Sequence, residues 1–293
     1  MYGIIKMIIC KRSNCITCKE NCKKTTWQFI IWTRELKQLA SVEIPTVFQT
    51  NEGDGDQFVG ITDLGRRVEM QWTGNTQKDI YAINVNDGSK RLVKKDLTGV
   101  IMPQFISPTG KYIMWYDSKA RNYFAWDGTT TRNLTEKIKY PLWNEENDMP
   151  DDPRPYGIAG WYKNDSMLFV YDKYDIWRIG FNPYDNLENT TKGREKKISY
   201  RYLRVDPDEK FIDLWTSKWL KGVDEKNKSE ILGQWRMSTN GLFGSINYSI
   251  GDVRVSSLMS DKRGDVFIAI KESYTMSPNL FSSYNVFNIP SET

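Results

Sequence analysis

Three observations predict that this protein has an all-β fold. Aromatic residues make up 13% of the 293 residues, including 11 tryptophans and 16 tyrosines, and aromatic side chains favour strands. Short runs of alternating apolar and polar residues recur between turns that contain Gly, Pro or Asp. The turn-and-strand pattern returns roughly every 40–50 residues, a spacing typical of propeller blades. We therefore predict a partial β-propeller of about five blades, each a four-stranded antiparallel sheet.

The repeat is clearest in residues 107–135. A Pro-x-Gly turn at 107–110 precedes the apolar run 112–116, and a second apolar run, 122–126, ends at Asp127-Gly128. A single four-stranded sheet cannot bury both of its faces alone, so neighbouring copies are expected to stack. An array of β-sandwiches is the structural alternative. Looser copies occupy residues 63–85, 163–179, 206–214 and 260–281.

The spacing of the turns supports one repeating unit. The turn residues of successive copies are separated by 45, 55, 44 and 55 residues, and they are Gly65, Gly110, Asp165, Glu209 and Gly264. Tryptophans fall at the predicted strand positions of these copies, and we expect them to pack within and between blades because large aromatic side chains dominate buried area. A carbohydrate or peptide platform is the alternative role for Trp115, Trp126, Trp161, Trp177 and Trp215.

The first 36 residues differ from the rest and contain all four cysteines, Cys10, Cys15, Cys18 and Cys22. Their spacing, C-x4-C-x2-C-x3-C, could hold zinc or an iron–sulfur cluster. Disordered thiols, adventitious disulfides or a leader unrelated to the fold are the alternatives. The segment is basic and contains no clear signal peptide. We predict that residues 1–36 form a Cys-rich basic leader outside the fold and that residues 37–293 form the propeller domain.

Histidine is absent from the sequence. This excludes a Ser-His-Asp or Cys-His catalytic centre built from this chain alone. The sequence also lacks a G-x-S-x-G nucleophile elbow, so we predict no α/β-hydrolase domain, no catalytic residue and no cofactor. The net charge of +4 does not indicate nucleic-acid binding. The sequence contains no run of 18 or more apolar residues, so it predicts no membrane-spanning helix.

One short run is strongly acidic. Five carboxylates lie within eight residues, among prolines that disfavour a helix, and they are Glu145, Glu146, Asp148, Asp151 and Asp152. Such a group could attract the amino terminus of a peptide or bind a hard cation such as Ca²⁺. The alternative is a solvated loop that packs between blades, since charge runs are usually solvated. These residues are our candidate substrate-binding group.

Several stretches resemble prolyl oligopeptidase family serine peptidases of the dipeptidyl peptidase IV and acylaminoacyl peptidase type from Bacteroides-like bacteria. The most specific stretch is the acidic, proline-rich run 141–161. Further matches lie at residues 40–48, 71–74, 171–177 and 271–274, and the resemblance covers about residues 37–290.

The resemblance implies a propeller that filters and contacts peptide substrates for an α/β-hydrolase domain carrying the Ser, Asp and His. This chain would then be a non-catalytic propeller portion that is inactive alone, with a peptide substrate and a missing hydrolase domain as partners. Relatives of this kind are typically periplasmic or on the cell surface. A free-standing protein- or peptide-binding propeller and a metal-binding protein are the alternatives. Exposed blade edges would also favour self-association.

Overall fold

The computed structural model describes residues 28–30, 36–53, 55–73, 75–181, 187–237, 243–249, 253–261 and 263–284. Regular structure in these residues is almost entirely antiparallel sheet. The helices are single turns: α1 (Met70–Thr73), α2 (Gly193–Lys196) and four 3-10 turns at Asn51–Gly53, Arg67–Glu69, Pro103–Phe105 and Lys163–Asp165. Within the described ranges, no helix is long and apolar enough to cross a membrane. The predicted all-β class is confirmed.

A two-stranded sheet formed by β1 (Gln28–Ile30) and β2 (Leu36–Gln38) comes first. Five larger sheets follow, each built from strands that are consecutive in the chain. Sheet I contains β3 (Thr46–Phe48), β4 (Gln57–Thr62), β5 (Lys78–Asn84) and β6 (Lys90–Leu97). Sheet II contains β7 (Gly99–Val100), β8 (Ile113–Asp117), β9 (Asn122–Trp126) and β10 (Thr131–Asn133).

The same connectivity continues in the second half of the chain. Sheet III contains β11 (Ile158–Trp161), β12 (Met167–Tyr171), β13 (Ile176–Gly180) and β14 (Glu188–Asn189). Sheet IV contains β15 (Ile198–Leu203), β16 (Lys218–Asp224), β17 (Glu230–Met237) and β18 (Phe243–Ser249). Sheet V has three described strands, β19 (Arg254–Ser260), β20 (Phe267–Glu272) and β21 (Asn279–Ser283). These five sheets are the blades of a propeller-type protein, as predicted.

The chain divides into two compact units, of which the first is Met1–Ile138 with Glu146–Pro155. This unit contains sheets I and II. Buried side chains of both sheets meet in one cluster, in which Val59 and Ile80 of sheet I pack with Trp115 and Trp126 of sheet II. Burial of the apolar surface that consecutive sheets share therefore holds this unit together.

The second unit, Lys139–Glu145 with Tyr156–Thr293, contains sheets III to V. Phe169 of sheet III meets Trp235 of sheet IV edge to face, with ring centroids 5.0 Å apart. Trp219 of sheet IV meets Phe267 of sheet V in the same way at 5.8 Å. Neighbours in a strand point to opposite faces. Accordingly Trp219 packs in the cluster with sheet V, whereas Leu220 packs in the cluster with sheet III.

Three of the predicted repeat copies coincide with observed strands. The copy at 107–135 gives β8, β9 and β10, the copy at 163–179 gives β12 and β13, and the copy at 260–281 gives β20 and β21. The predicted Pro-x-Gly turn is also present, because Gly110 has a φ of +80° and its N–H donates to Ser107 O at 2.8 Å. That backbone conformation favours glycine over residues with a side chain.

Strand positions were wrong in the copy at 206–214 and in the first half of the copy at 63–85, whose second half coincides with β5. The apolar residues after Gly65 form a 3-10 turn and α1 instead of a strand, and Val68, Met70 and Trp72 are exposed. Residues 206–214 are a loop between β15 and β16. A turn signal followed by apolar residues therefore does not distinguish a strand from a loop or a helical turn.

Four of the five tryptophans predicted to pack within and between blades lie in strands and are at least partly buried. Trp115, Trp126 and Trp161 are buried in strands, and Trp177 is partly buried. Trp215 contradicts the prediction because it lies in the loop before β16 and is 61% exposed.

Truncation of a buried tryptophan tests the stacking of the blades. Trp235→Ala should lower the free energy of unfolding by about 3–5 kcal/mol, because it removes a fully buried side chain that contacts Phe169. Urea unfolding followed by circular dichroism measures the change. Trp72→Ala is the matched control and should stay within about 0.5 kcal/mol, since Trp72 is exposed. Equal effects of the two substitutions would contradict the stacked arrangement.

The pH dependence of stability tests the aspartate-closed turns. Asp127 accepts hydrogen bonds from the N–H groups of Thr130 and Thr129 at 2.8 and 2.9 Å and from both threonine hydroxyls, which holds its pKa well below the usual range. Asp261 has a lowered pKa because it accepts the N–H groups of Val266 and Asp265. A lowered carboxyl pKa contributes stability that is present above the unfolded-state pKa and is lost as the pH falls.

The urea midpoint should therefore fall below about pH 4–5. It should be nearly constant between about pH 5.5 and 7.5, where histidine would otherwise titrate. Asp127→Asn should reduce the fall at acid pH. A steep change in the midpoint near pH 6.5 would contradict this expectation.

Candidate functional site

The predicted acidic run lies in the loop between β10 and β11, and all five carboxylates are exposed. The loop is ordered by main-chain contacts. The Asn147 side-chain amide donates to the carbonyl oxygens of Met149 and Asp151 at 3.0 and 3.1 Å, and the N–H of Glu145 donates to the Tyr156 hydroxyl at 3.2 Å. In the described residues, no three or more His, Cys, Asp or Glu side chains are grouped so as to hold a metal ion. Substrate binding by these carboxylates stays a prediction.

The four cysteines predicted as metal ligands lie outside the described residues. Their role, and the predicted boundary of the leader at residue 36, stay predictions. β1 falls within the predicted leader and pairs with β2.

The turn between β12 and β13 holds two fully buried carboxylates, Asp172 and Asp175. Asp172 accepts the N–H groups of Tyr174 and Asp175 at 2.7 and 2.6 Å and the indole N–H of Trp177 at 3.0 Å. A buried carboxylate is tolerated only when such donors compensate for lost hydration. Asp172 therefore fixes the turn that the resembling stretch 171–177 forms.

Asp175 connects this turn to the segment after β14. It accepts the Thr191 hydroxyl at 2.8 Å and the N–H of Arg194 at 3.3 Å, together with the N–H of Gly193. A Cβ at Gly193 would lie 2.2 Å from the carbonyl oxygen of Ile198, so only glycine permits this close approach. The carboxylate thus holds the start of α2 against the turn.

Two arginines surround Asp172. The Arg194 guanidinium lies 4.1 Å from the Tyr140 ring and 4.9 Å from the Tyr174 ring, and its Nη2 is 3.2 Å from Asp172 Oδ2, an ion pair without hydrogen-bond alignment. Arg201 lies 4.7 Å from the Tyr171 ring, and its Nη1 donates to the carbonyl oxygen of Tyr200 at 2.7 Å. Burial lowers the pKa of Arg201, although Tyr171 and Asp172 oppose that shift.

These contacts give the arginine–tyrosine cluster a structural role. Its carboxylates are saturated by donors from the same fold, and its arginines stack on tyrosines from neighbouring segments. The cluster joins the turn, α2 and β15. The resemblance had singled out 171–177 as a stretch, but it had not indicated these roles. The Asp-x-x-Asp spacing at a strand-to-strand turn is the signal that could have found them, since Asp side chains close turns.

A separate open cleft of about 510 Å³ lies between sheets IV and V. Three segments line it: the turn between β16 and β17, the start of β19, and the turn after β20. The residues are Asn227, Lys228, Ser229, Glu230, Val253, Arg254, Glu272, Ser273 and Tyr274. This volume lies in the range of small-ligand sites.

The floor of the cleft is a chain of alternating charges. Glu230 lies 2.6 Å from Lys221 and its second oxygen accepts the N–H of Val255 at 3.1 Å. Arg254 lies 3.1 Å from Glu272 and 3.9 Å from Glu230. The turn after β20 is closed by reciprocal main-chain hydrogen bonds between Ser273 and Met276 at 3.0 and 3.3 Å. The cleft can therefore present fixed charges to a polar ligand.

This cleft was not predicted from the sequence. One of its walls, Glu272–Tyr274, lies within the stretch 271–274 that carries part of the resemblance. The other two segments have no conspicuous pattern.

No protein-family model and no curated protein matches the chain. Among solved structures, the chain is similar to TolB from Acinetobacter baumannii, with 14% identity and a TM-score of 0.35, over 82% of this chain and 54% of that one. A TolB-like protein from Agrobacterium tumefaciens is 13% identical, with a TM-score of 0.38, over 87% and 82% of the two chains.

A puromycin-hydrolyzing peptidase from Mycobacterium tuberculosis is 12% identical, with a TM-score of 0.39, over 78% of this chain and 33% of that one. The chain thus spans about half of the Acinetobacter TolB structure and about a third of the peptidase. At these identities and TM-scores the similarities carry no inference about function.

Substitution of Asp175 tests the structural role of the buried turn. Asp175→Asn replaces one acceptor by a donor that faces the N–H groups of α2, so it should lower the free energy of unfolding by about 1–3 kcal/mol. Asp151→Asn is the matched control. It lies on the exposed acidic loop and should change stability by less than about 0.5 kcal/mol. Thermal and urea unfolding measure both variants, and an unchanged Asp175→Asn protein would overturn the assignment.

Proposed function

We propose that this chain is the non-catalytic propeller portion of a prolyl oligopeptidase-type serine peptidase, and that it contacts peptide substrates for a hydrolase domain. The observation that carries the proposal is the position of the stretch 271–274. This stretch carries part of the sequence resemblance, and three of its residues line the open cleft between sheets IV and V. A stretch that resembles peptide-contacting propellers thus lines a cleft whose volume is in the range of small-ligand sites.

The composition supports the non-catalytic part of the proposal. The 293 residues contain no histidine, so the histidine of a Ser-His-Asp triad would have to come from another polypeptide segment. Within each unit the sheets form a packed scaffold, because sheets I and II, sheets III and IV, and sheets IV and V bury large side chains against one another. Loops held on such a scaffold are suited to contact a substrate.

A peptidase assay tests the non-catalytic role. The pure chain should not hydrolyse proline-containing chromogenic substrates above the rate of the heat-unfolded control, because it cannot build the triad. A serine-directed phosphonate should leave the chain unlabelled, as intact mass spectrometry would show. Hydrolysis that the phosphonate abolishes would overturn this part of the proposal.

Peptide capture tests the contacting role. The immobilised chain should retain members of a random peptide library, measured by mass spectrometry of the eluate against the heat-unfolded chain. Retention of no peptide would overturn the peptide-contacting role.

Light scattering after size-exclusion chromatography separates the two propeller hypotheses. A monomer that unfolds in one cooperative transition would favour a free-standing binding module over a portion of a larger peptidase.

A further inference from the structure

The charged side chains of the cleft between sheets IV and V differ in how far they reach into solvent. The side chain of Glu230 is 16% exposed and that of Glu272 is 27% exposed, whereas that of Arg254 is 63% exposed. The carboxylates are thus recessed and the guanidinium reaches solvent. A ligand that enters the cleft meets positive charge first.

The recessed carboxylates are already engaged. Glu230 is bound by Lys221 at 2.6 Å and by the N–H of Val255, and Glu272 is bound by Arg254 at 3.1 Å. Their charge is offset by these contacts, so they hold Arg254 in place instead of attracting a second cation. Arg254 has five N–H donors, more than its two neighbouring carboxylates occupy at these distances.

A second cation faces the cleft from sheet IV. Lys228 is exposed, and it sits in a turn fixed by its own N–H, which donates to Asp224 O at 2.7 Å, and by the hydrogen bond from Ser229 N–H to the Asn227 side chain at 3.0 Å. The backbone of Lys228 is left-handed, with a φ of 61°. The position of this residue is therefore set by the turn.

The opposite wall carries a fully exposed aromatic side chain. Tyr274 follows Ser273 in the turn after β20 and has no burial against the rest of the protein. Exposed tyrosine gives a rigid, amphipathic contact surface that loses little conformational entropy on binding. It can cover the apolar or peptide portion next to a bound charge.

We infer that this cleft binds the carboxylate of a peptide, either its carboxyl terminus or an Asp or Glu side chain, an inference that rests on the proposed peptide-contacting function. Arg254 supplies paired N–H donors to the two carboxylate oxygens. Lys228 supplies a point charge, and Tyr274 packs on the residue beside the carboxylate. Arginine suits this role because its planar guanidinium matches the geometry of a carboxylate.

Fluorescence anisotropy with four labelled peptides of the same length and apolar sequence tests the inference. The first has a free carboxyl terminus, the second has an amidated terminus and one internal Glu, the third is amidated with no acid, and the fourth is amidated with one internal Lys. The first or the second peptide should bind at least about 10-fold more tightly than the third. Comparison of the first two identifies which source of carboxylate the cleft prefers.

Variants localise the binding. Arg254→Gln and Lys228→Gln should each weaken the preferred peptide, Arg254→Gln by about 10-fold or more. Tyr274→Ala should weaken it less, and Tyr274→Phe should retain it. Lys226→Gln is the matched control, because Lys226 is an exposed lysine of the same turn that does not line the cleft. Lys228→Gln keeps the test valid if Arg254→Gln is unstable, since the Lys228 side chain is exposed at the surface.

Several outcomes would overturn the inference. Equal binding of the first three peptides would exclude carboxylate recognition, and preference for the fourth would assign the cleft to a cation. Unchanged affinity of Lys228→Gln and Arg254→Gln would place binding elsewhere. In each of these cases peptides still bind, so the proposed peptide-contacting function would survive. Failure of the random library capture is the separate result that removes that function.

Discussion

Within each of the two units, burial of large side chains between consecutive sheets is the interaction on which the other features depend. A three- or four-stranded sheet has apolar residues on both faces and cannot cover them by itself. In sheet IV, Trp219 and Leu220 are neighbours in β16, yet each belongs to the core shared with a different adjacent sheet. This arrangement fixes which turns are brought together. The cleft lined by Lys228, Arg254 and Tyr274 exists because sheets IV and V are held face to face.

Aspartate side chains close several turns between strands, because N–H groups in these turns have no main-chain acceptor. Asp172 and Asp175 lie where strands of sheet III reverse direction, and their oxygens accept N–H groups that no strand can pair. Each buried carboxylate is costly unless it is saturated. Hydrogen bonds from turn amides and a threonine hydroxyl, together with the contacts of Arg194, offset this cost and fix the geometry of the turn. The same principle operates at the surface in Asp127 and Asp261, where fewer contacts are buried.

Local signals in the sequence were sufficient for the fold class and for the blades whose turns directly precede a strand. Residues 107–135 show this, since the Gly110 turn leads at once into β8. The strand predicted directly after Gly65 was wrong. Val68 and Trp72 have side chains typical of strands, but they are exposed in the structure. The acidic run at 145–152 is conspicuous because its charges are contiguous. The cleft has no such signal in the sequence, because three separate segments line it. The stacking of sheets IV and V brings these segments together.

Sheet V differs from sheet IV in how its two faces are covered. Phe267 and Ala269 are buried against sheet IV, whereas Ile268 and Met259, on alternate positions of the same strands, are exposed, as is Leu280 of β21. Within the described residues, sheet V therefore shares one buried cluster with a neighbouring sheet, whereas sheet IV shares two. Local opening that leaves the rest of the molecule folded exposes less shared apolar surface in sheet V than in sheet IV. We therefore expect the amide hydrogens of the cleft wall that sheet V contributes to exchange with solvent more readily than those of sheet IV.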